Sequence, residues 1–164
     1  MLTRTDFCTL LKVDTDGLKN IVRRGYLPYR EELLDKGQYT ALEALLAIMA
    51  EDEFEQGRSM LAAAKIVGRM AGAVAEELRD IAKTSQDLCD GISVNEIFGV
   101  TIELPFGNDP SHVALCGTLA QINKGLGAFP AIVRFTPLNV SRAAAVMRMR
   151  ASRADIRLGG VWGD

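Results

Sequence analysis

The chain is 164 residues long, 48% apolar and 24% charged, with a formal net charge of −2. Those proportions exclude a disordered chain and fit one large or two small domains able to bury a core. No apolar run approaches the roughly eighteen residues of a membrane helix, and the opening Met1-Leu-Thr-Arg-Thr-Asp6 lacks the charged-then-apolar order of a secretory signal, so a cytoplasmic protein with no membrane partner is expected.

Phe7, Leu10, Leu11 and Val13 form one apolar stripe at helical spacing, and Leu18, Ile21 and Val22 form a second. Asp14 stands between them, placed to cap a new helix by accepting from its free N–H groups. The pattern predicts a helix-turn-helix. Lys19, Asn20, Arg23 and Arg24 lie off the second stripe, so donors suited to phosphates and base edges face outward while the aliphatics lock the pair. Gly25 then ends the helix, being able to adopt positive φ.

The string from Phe7 to Pro28, followed by Gly37-Gln-Tyr-Thr-Ala-Leu-Glu-Ala-Leu45, resembles the winged helix-turn-helix headpiece of MerR-type regulators. Related headpieces occur in phage excisionases and small terminase subunits. The matching positions are Leu18, Lys19, Arg24, Gly25, Tyr26, Leu27 and Pro28, and the match covers roughly the first third of the chain. The resemblance implies that the second helix enters the major groove, that the loop ahead of Tyr39 is a wing on the DNA backbone, and that Tyr39-Thr40 opens a third helix. It assigns Thr15, Asp16, Lys19, Asn20 and Arg23 to the groove, and Arg24, Arg30, Lys36, Gln38 and Tyr39 to the backbone, with Tyr26 beside them. Three positions depart from the family: Asn20 and Ile21 replace the paired aromatics common in activators, and Gln38 stands where a basic residue usually precedes the wing tyrosine. The alternative is an ordinary helical hairpin with solvated arginines, because seven Lys/Arg against six Asp/Glu in the first forty residues make a weak electrostatic footprint.

Thr40 with Glu43 three residues on makes a capping box, and Leu42, Leu45, Leu46 and Met49 supply the face that closes the headpiece core. From Arg58 a longer helix carries Met60, Val67, Val74, Ile81 and Leu88 at heptad spacing, flanked by Ala64, Met70, Ala71 and Leu78. Small residues such as Gly68, Gly72 and Ala75 crowd it and would admit close approach of another helix. In MerR-like proteins the corresponding helix pairs antiparallel with its symmetry mate, so Met60, Val67, Met70, Val74, Leu78, Ile81 and Leu88 are expected to form a homodimer seam. The alternative is that the stripe packs on the chain's own C-terminal region.

The period then changes. Val100–Leu104 alternates as a half-buried strand would, residues 105–109 are turn chemistry, and Asp109-Pro110 is expected to open a helix carrying Val113, Leu115, Leu119, Ile122 and Leu126. Ala131–Phe135 predicts a second strand, Thr136-Pro137 the start of a helix to about Ala151, and Ile156–Leu158 with Val161-Trp162 a last strand. The expected fold is therefore an α-rich α+β chain: a winged helix-turn-helix (1–57), a long coiled-coil-like dimerisation helix (58–90), and a small C-terminal α/β module (91–164) in the order strand–helix–strand–helix–strand.

Charge segregates along the chain, with twelve acidic against five basic residues over 41–103 and seven basic against one acidic over 120–158. The basic segment would add phosphate contacts or pair with the acidic middle of the same or a neighbouring chain. His112 is the single histidine, placed by pattern in the first turn of a helix and so on the surface. No acid–base spacing or phosphate-cradling glycine fingerprint stands out, so no enzyme and no cofactor is expected. Cys8, Cys89 and Cys116 are odd in number and far apart, which fits buried thiols better than disulfides or a metal site. The expected function is a homodimeric, sequence-specific regulator binding double-stranded DNA, with the C-terminal module taking a small-molecule or protein effector. The alternatives are a phage-derived packaging or recombination accessory, and a protein-interaction module whose acidic middle docks a basic partner.

Overall fold

In the computed structural model, which describes residues 1–30, 37–84, 96–105, 111–129 and 131–159, helix boundaries are set by side-chain caps. A two-residue strand β1 (Leu2–Thr3) leads into α1 (Arg4–Leu10), where Thr3 and Asp6 form a reciprocal capping box. Asp14 starts α2 (Thr15–Arg23) by accepting from Gly17 N at 2.6 Å. After β2 (Gln38–Tyr39), Thr40 and Glu43 form a second capping box and open α3 (Ala41–Glu55). The long helix α4 (Met60–Thr84) follows. β1 and β2 pair antiparallel, Leu2 opposite Tyr39 and Thr3 opposite Gln38, so the segment after α2 is clamped to the first residues of the chain.

The C-terminal region is β3 (Ile97–Leu104), β4 (Ser111–Thr118), α5 (Leu119–Leu126), β5 (Arg134–Asn139) and α6 (Val140–Arg153). Its sheet is antiparallel with β3 central, in the order β4-β3-β5. Among the described residues the chain is thus a mixed α+β protein of six helices and two small sheets.

The observed order, strand–strand–helix–strand–helix, departs from the expected one at three places. The helix expected to begin at Asp109 is β4 over 111–118, and a helix starts only where Thr118 and Gln121 form a capping box. Both faces of β4 are covered: Val113 and Leu115 pack with Ile122 of α5, while Ala114 and Cys116 pack on the main core. Burial on two sides removes the polar alternation by which a strand is usually recognised. Thr136 and Pro137 lie within β5, Pro137 opposite Val100, because an edge strand tolerates a residue without an N–H donor. The helix begins at Val140 instead, capped by Asn139 Oδ1 accepting from Arg142 N at 2.8 Å. Ile156–Leu158 forms no strand: Ile156 N donates to Ala151 O at 2.9 Å to close α6, and Leu158 is buried in the main core. Asp109, Pro110, Val161 and Trp162 lie outside the described residues.

The main core runs without a break from Leu2 to Leu158, so segments 1–57, 58–90 and 91–164 share it. A smaller cluster of Val100, Ile102, Leu104 and Ile122 fills the other face of the sheet. The α4 stripe lies in the main core. Val67, Met70 and Val74 are fully buried and Leu78 nearly so, against α3 on one side and β3 and β4 on the other. The seam expected between two chains is therefore filled by one chain. Ile81 packs half-buried on the same core, Met60 lines a groove beside α3, and Leu88 lies outside the described residues. The small residues admit other neighbours than a second helix: a Cβ on Gly68 would come within 2.6 Å of the Pro28 carbonyl oxygen. A Cβ on Gly99 would meet the Met70 sulfur at 2.7 Å.

Removing the Met70 side chain leaves a cavity in this seam. Met70→Ala is expected to lower the unfolding free energy by about 2–5 kcal/mol, and by the same amount at low and at high protein concentration. A loss confined to concentrations at which chains associate would put the seam between chains.

Candidate nucleic-acid interface

Helix α2 holds to the core through Leu18, which is buried, while Ile21 is half-buried in the wall of a neighbouring groove. Its C-terminus is closed by Gly25 N donating to Val22 O at 3.1 Å and Tyr26 N to Ile21 O at 2.9 Å, with Gly25 at φ +68°. That left-handed conformation suits glycine and turns the chain back under the helix. Everything else on α2 is solvent-facing or nearly so.

At 100° per residue, Thr15, Lys19, Val22 and Arg23 share one side of α2, whereas Asp16, Asn20 and Arg24 fall on the next. The first set lines an open groove of about 290 Å³ whose far side is Arg4 and Tyr39 and whose floor includes Leu18. Three cations from two helices thus border one concavity. Arg4 escaped the sequence reading because the β1–β2 pairing brings it there, and no local pattern announces that pairing. Its guanidinium lies over Gly37, where a Cβ would sit 3.4 Å from Arg4 Nη2. Lys19 Nζ donates to Asp16 Oδ1 at 2.9 Å and Arg23 Nη2 to Asn20 Oδ1 at 3.0 Å. The Lys19 ammonium holds the Asp16 carboxyl below its ordinary range, first through that hydrogen bond and then through its charge. Both contacts are exposed, so they orient the cations at little energetic cost to their release.

The remaining residues expected at DNA are placed elsewhere. Val22, read as core, is 50% exposed. Tyr39, read as a backbone contact, is buried, its ring stacked on Phe7 with centroids 4.1 Å apart. Arg30 is committed internally: Nη1 donates to the Gln38 carbonyl at 2.7 Å and to Glu43 Oε1 at 2.9 Å, and the guanidinium lies 4.5 Å from the Tyr39 ring centre. Glu43 is fully buried, and its other oxygen accepts from Thr40 N at 2.6 Å. Tyr26 lines a separate groove of about 280 Å³ with Ile21, Phe54 and Met60, between α2 and the α3–α4 junction. Gln38 and Arg24 are exposed, and Lys36 lies outside the described residues together with the rest of the expected wing, 31–36.

Arg142 and Arg150 of the basic C-terminal segment are answered by the acidic middle of the same chain. Arg150 Nη1 donates to Glu51 Oε2 at 2.7 Å and to the Leu10 carbonyl at 2.8 Å, and Arg142 pairs with Asp52 at 3.1 Å. Arg58 pairs with the buried Glu53. Three consecutive acidic residues of α3 are thereby neutralised from within.

No group of three or more potential metal ligands occurs among the described residues, and none of their helices is long and apolar enough to cross a membrane. His112 is in β4 rather than a helix, opposite Glu103, whose other cross-strand neighbour is Arg134. Its Nδ1 is buried with no hydrogen-bond partner among the described residues. Cys89 lies outside them. Burial, reinforced by the nearby Glu77 carboxylate, pushes the Cys116 thiol up to about 12, and burial also raises Cys8, so neither supplies thiolate at neutral pH. Comparison with protein-family models and with curated protein sequences gives no match, so the functional reading rests on this geometry and on the motif of the first third.

Arg30→Ala leaves Glu43 buried without this partner and should cost about 1–3 kcal/mol, the guanidinium being partly solvated; Arg23→Ala should stay within about 0.5 kcal/mol of the parent chain in urea unfolding. Equal, negligible effects would show that Arg30 is not a structural residue. Cys116 keeps its proton in the folded chain to about 12, whereas an unfolded thiol releases it near 9. Its contribution is present below pH 9 and lost as pH rises from there toward 12. Unfolding free energy should therefore fall more steeply above about pH 9 in the parent chain than in Cys116→Ala, and parallel curves would contradict the burial of the thiol.

Proposed function

We propose that this chain is a sequence-specific binder of double-stranded DNA, acting in regulation of the MerR-like kind, with α2 as the reading helix. The observation that carries the proposal is the groove in which Arg4, Lys19 and Arg23 surround Thr15, Val22 and the edge of Tyr39. Cations on a protruding helix suit phosphates and the acceptor atoms of guanine, and hydroxyl and aliphatic groups between them suit base edges. Asp14 and Gly25 keep the helix short and rigid, so that its side chains are presented at fixed spacing.

The resemblance of Phe7–Leu45 to the MerR-type headpiece points the same way. Neutralisation of Glu51, Asp52 and Glu53 by the chain's own arginines weighs against the acidic middle as a docking surface for a basic partner. A homodimer remains part of the proposal, formed through surfaces other than the buried α4 stripe. The C-terminal module is proposed to take the effector or partner, and the exposed Val133 and Phe135 beside the sheet edge support a contact there.

Lys19→Ala combined with Arg23→Ala is expected to abolish preference for a selected duplex and to flatten the salt dependence of residual binding by about two counterions, with helix content unchanged by circular dichroism. Selective gel-shift binding that survives the double substitution would refute the assignment of α2.

A further inference from the structure

We infer that Val22 reads the C5 methyl group of a pyrimidine in the major groove, an inference that rests on α2 being the DNA-facing helix. Val22 is half exposed on a helix whose other aliphatics, Leu18 and Ile21, are buried or half-buried. A β-branched residue at an uncovered helical position loses rotamer freedom against the preceding turn and gains no packing in return. A single exposed aliphatic is ordinary on a protein surface. This one is not isolated: it forms part of the concave wall that also holds Lys19, Arg23 and Arg4.

The spacing supplies the second half of the argument. Lys19 lies three residues before Val22 and Arg23 one after it, so around the helix the isopropyl group sits next to buried Leu18 on one side and has both donors on the other. In a major groove those donors meet phosphates or purine acceptors. An aliphatic group beside them has one partner of its own kind on the base edges, the C5 methyl of thymine. The same methyl on 5-methylcytosine is the second source of that chemistry.

The test uses the full chain and a short duplex recovered by selection from a random pool. Each thymine is replaced in turn by deoxyuridine, which removes only the methyl group, and each cytosine by 5-methylcytosine. Burying one methyl is worth about a fourfold change in affinity, so one thymine position per half-site should show a loss of that size in the parent chain. Val22→Ala should bind the thymine and uracil duplexes equally, and Val22→Thr, which keeps the branch and one methyl, should fall between. A Val22-dependent gain on 5-methylcytosine instead assigns the methyl to that base and supports the same reading. Duplex binding with no sensitive position, or a methyl effect undiminished in Val22→Ala, overturns this inference alone. Failure to bind any duplex overturns the reading of α2 as well.

Discussion

The buried carboxylate of Glu43 is the contact on which the N-terminal architecture depends. One oxygen closes the cap of α3 on Thr40 N, and the other accepts from Arg30. Arg30 in turn holds the Gln38 carbonyl and covers the ring of Tyr39, which stacks on Phe7 of α1. A fully buried charge is tolerable only when paired and hydrogen-bonded, so this one carboxylate fixes the chain exit after α2, the β1–β2 pairing and the start of α3 together. Arg4 and α2 face each other across a groove because of that arrangement.

A second constraint joins the two ends of the chain. Arg150 reaches the C-terminal carbonyl of α1 and Glu51 of α3 together, while Arg142 meets Asp52. The helix α6 is thereby fastened to both α1 and α3, and the main core continues across all three sequence segments. The C-terminal sheet and residues 1–57 are joined through α4 and α6, whose apolar faces lie in that same core.

Local features were legible in the sequence because they depend on residues within one helical turn. Asp14 and the Thr40–Glu43 box start helices as their spacing says, and Gly25 ends one. The stripe Phe7, Leu10, Leu11 packs inward as expected. What escaped depends on contacts between distant residues. A heptad stripe tells that α4 has one apolar face but not whether another chain or the same one covers it. Tyr39 and Arg30 have the residue types of a DNA-contacting wing, yet the pairing of Leu2 with Tyr39 turns both into structural groups. Val22 looked like core by period alone, and β4 looked helical because its two faces are both covered.

We propose that α2 and Arg4 form the surface that meets DNA, and amide chemical-shift mapping of the labelled chain during titration with a selected duplex reports that surface residue by residue. Perturbations should concentrate at Arg4 and across Thr15–Arg24 and fade as salt is raised. Perturbations centred on α6 or the C-terminal sheet, or shifts insensitive to salt, would contradict it.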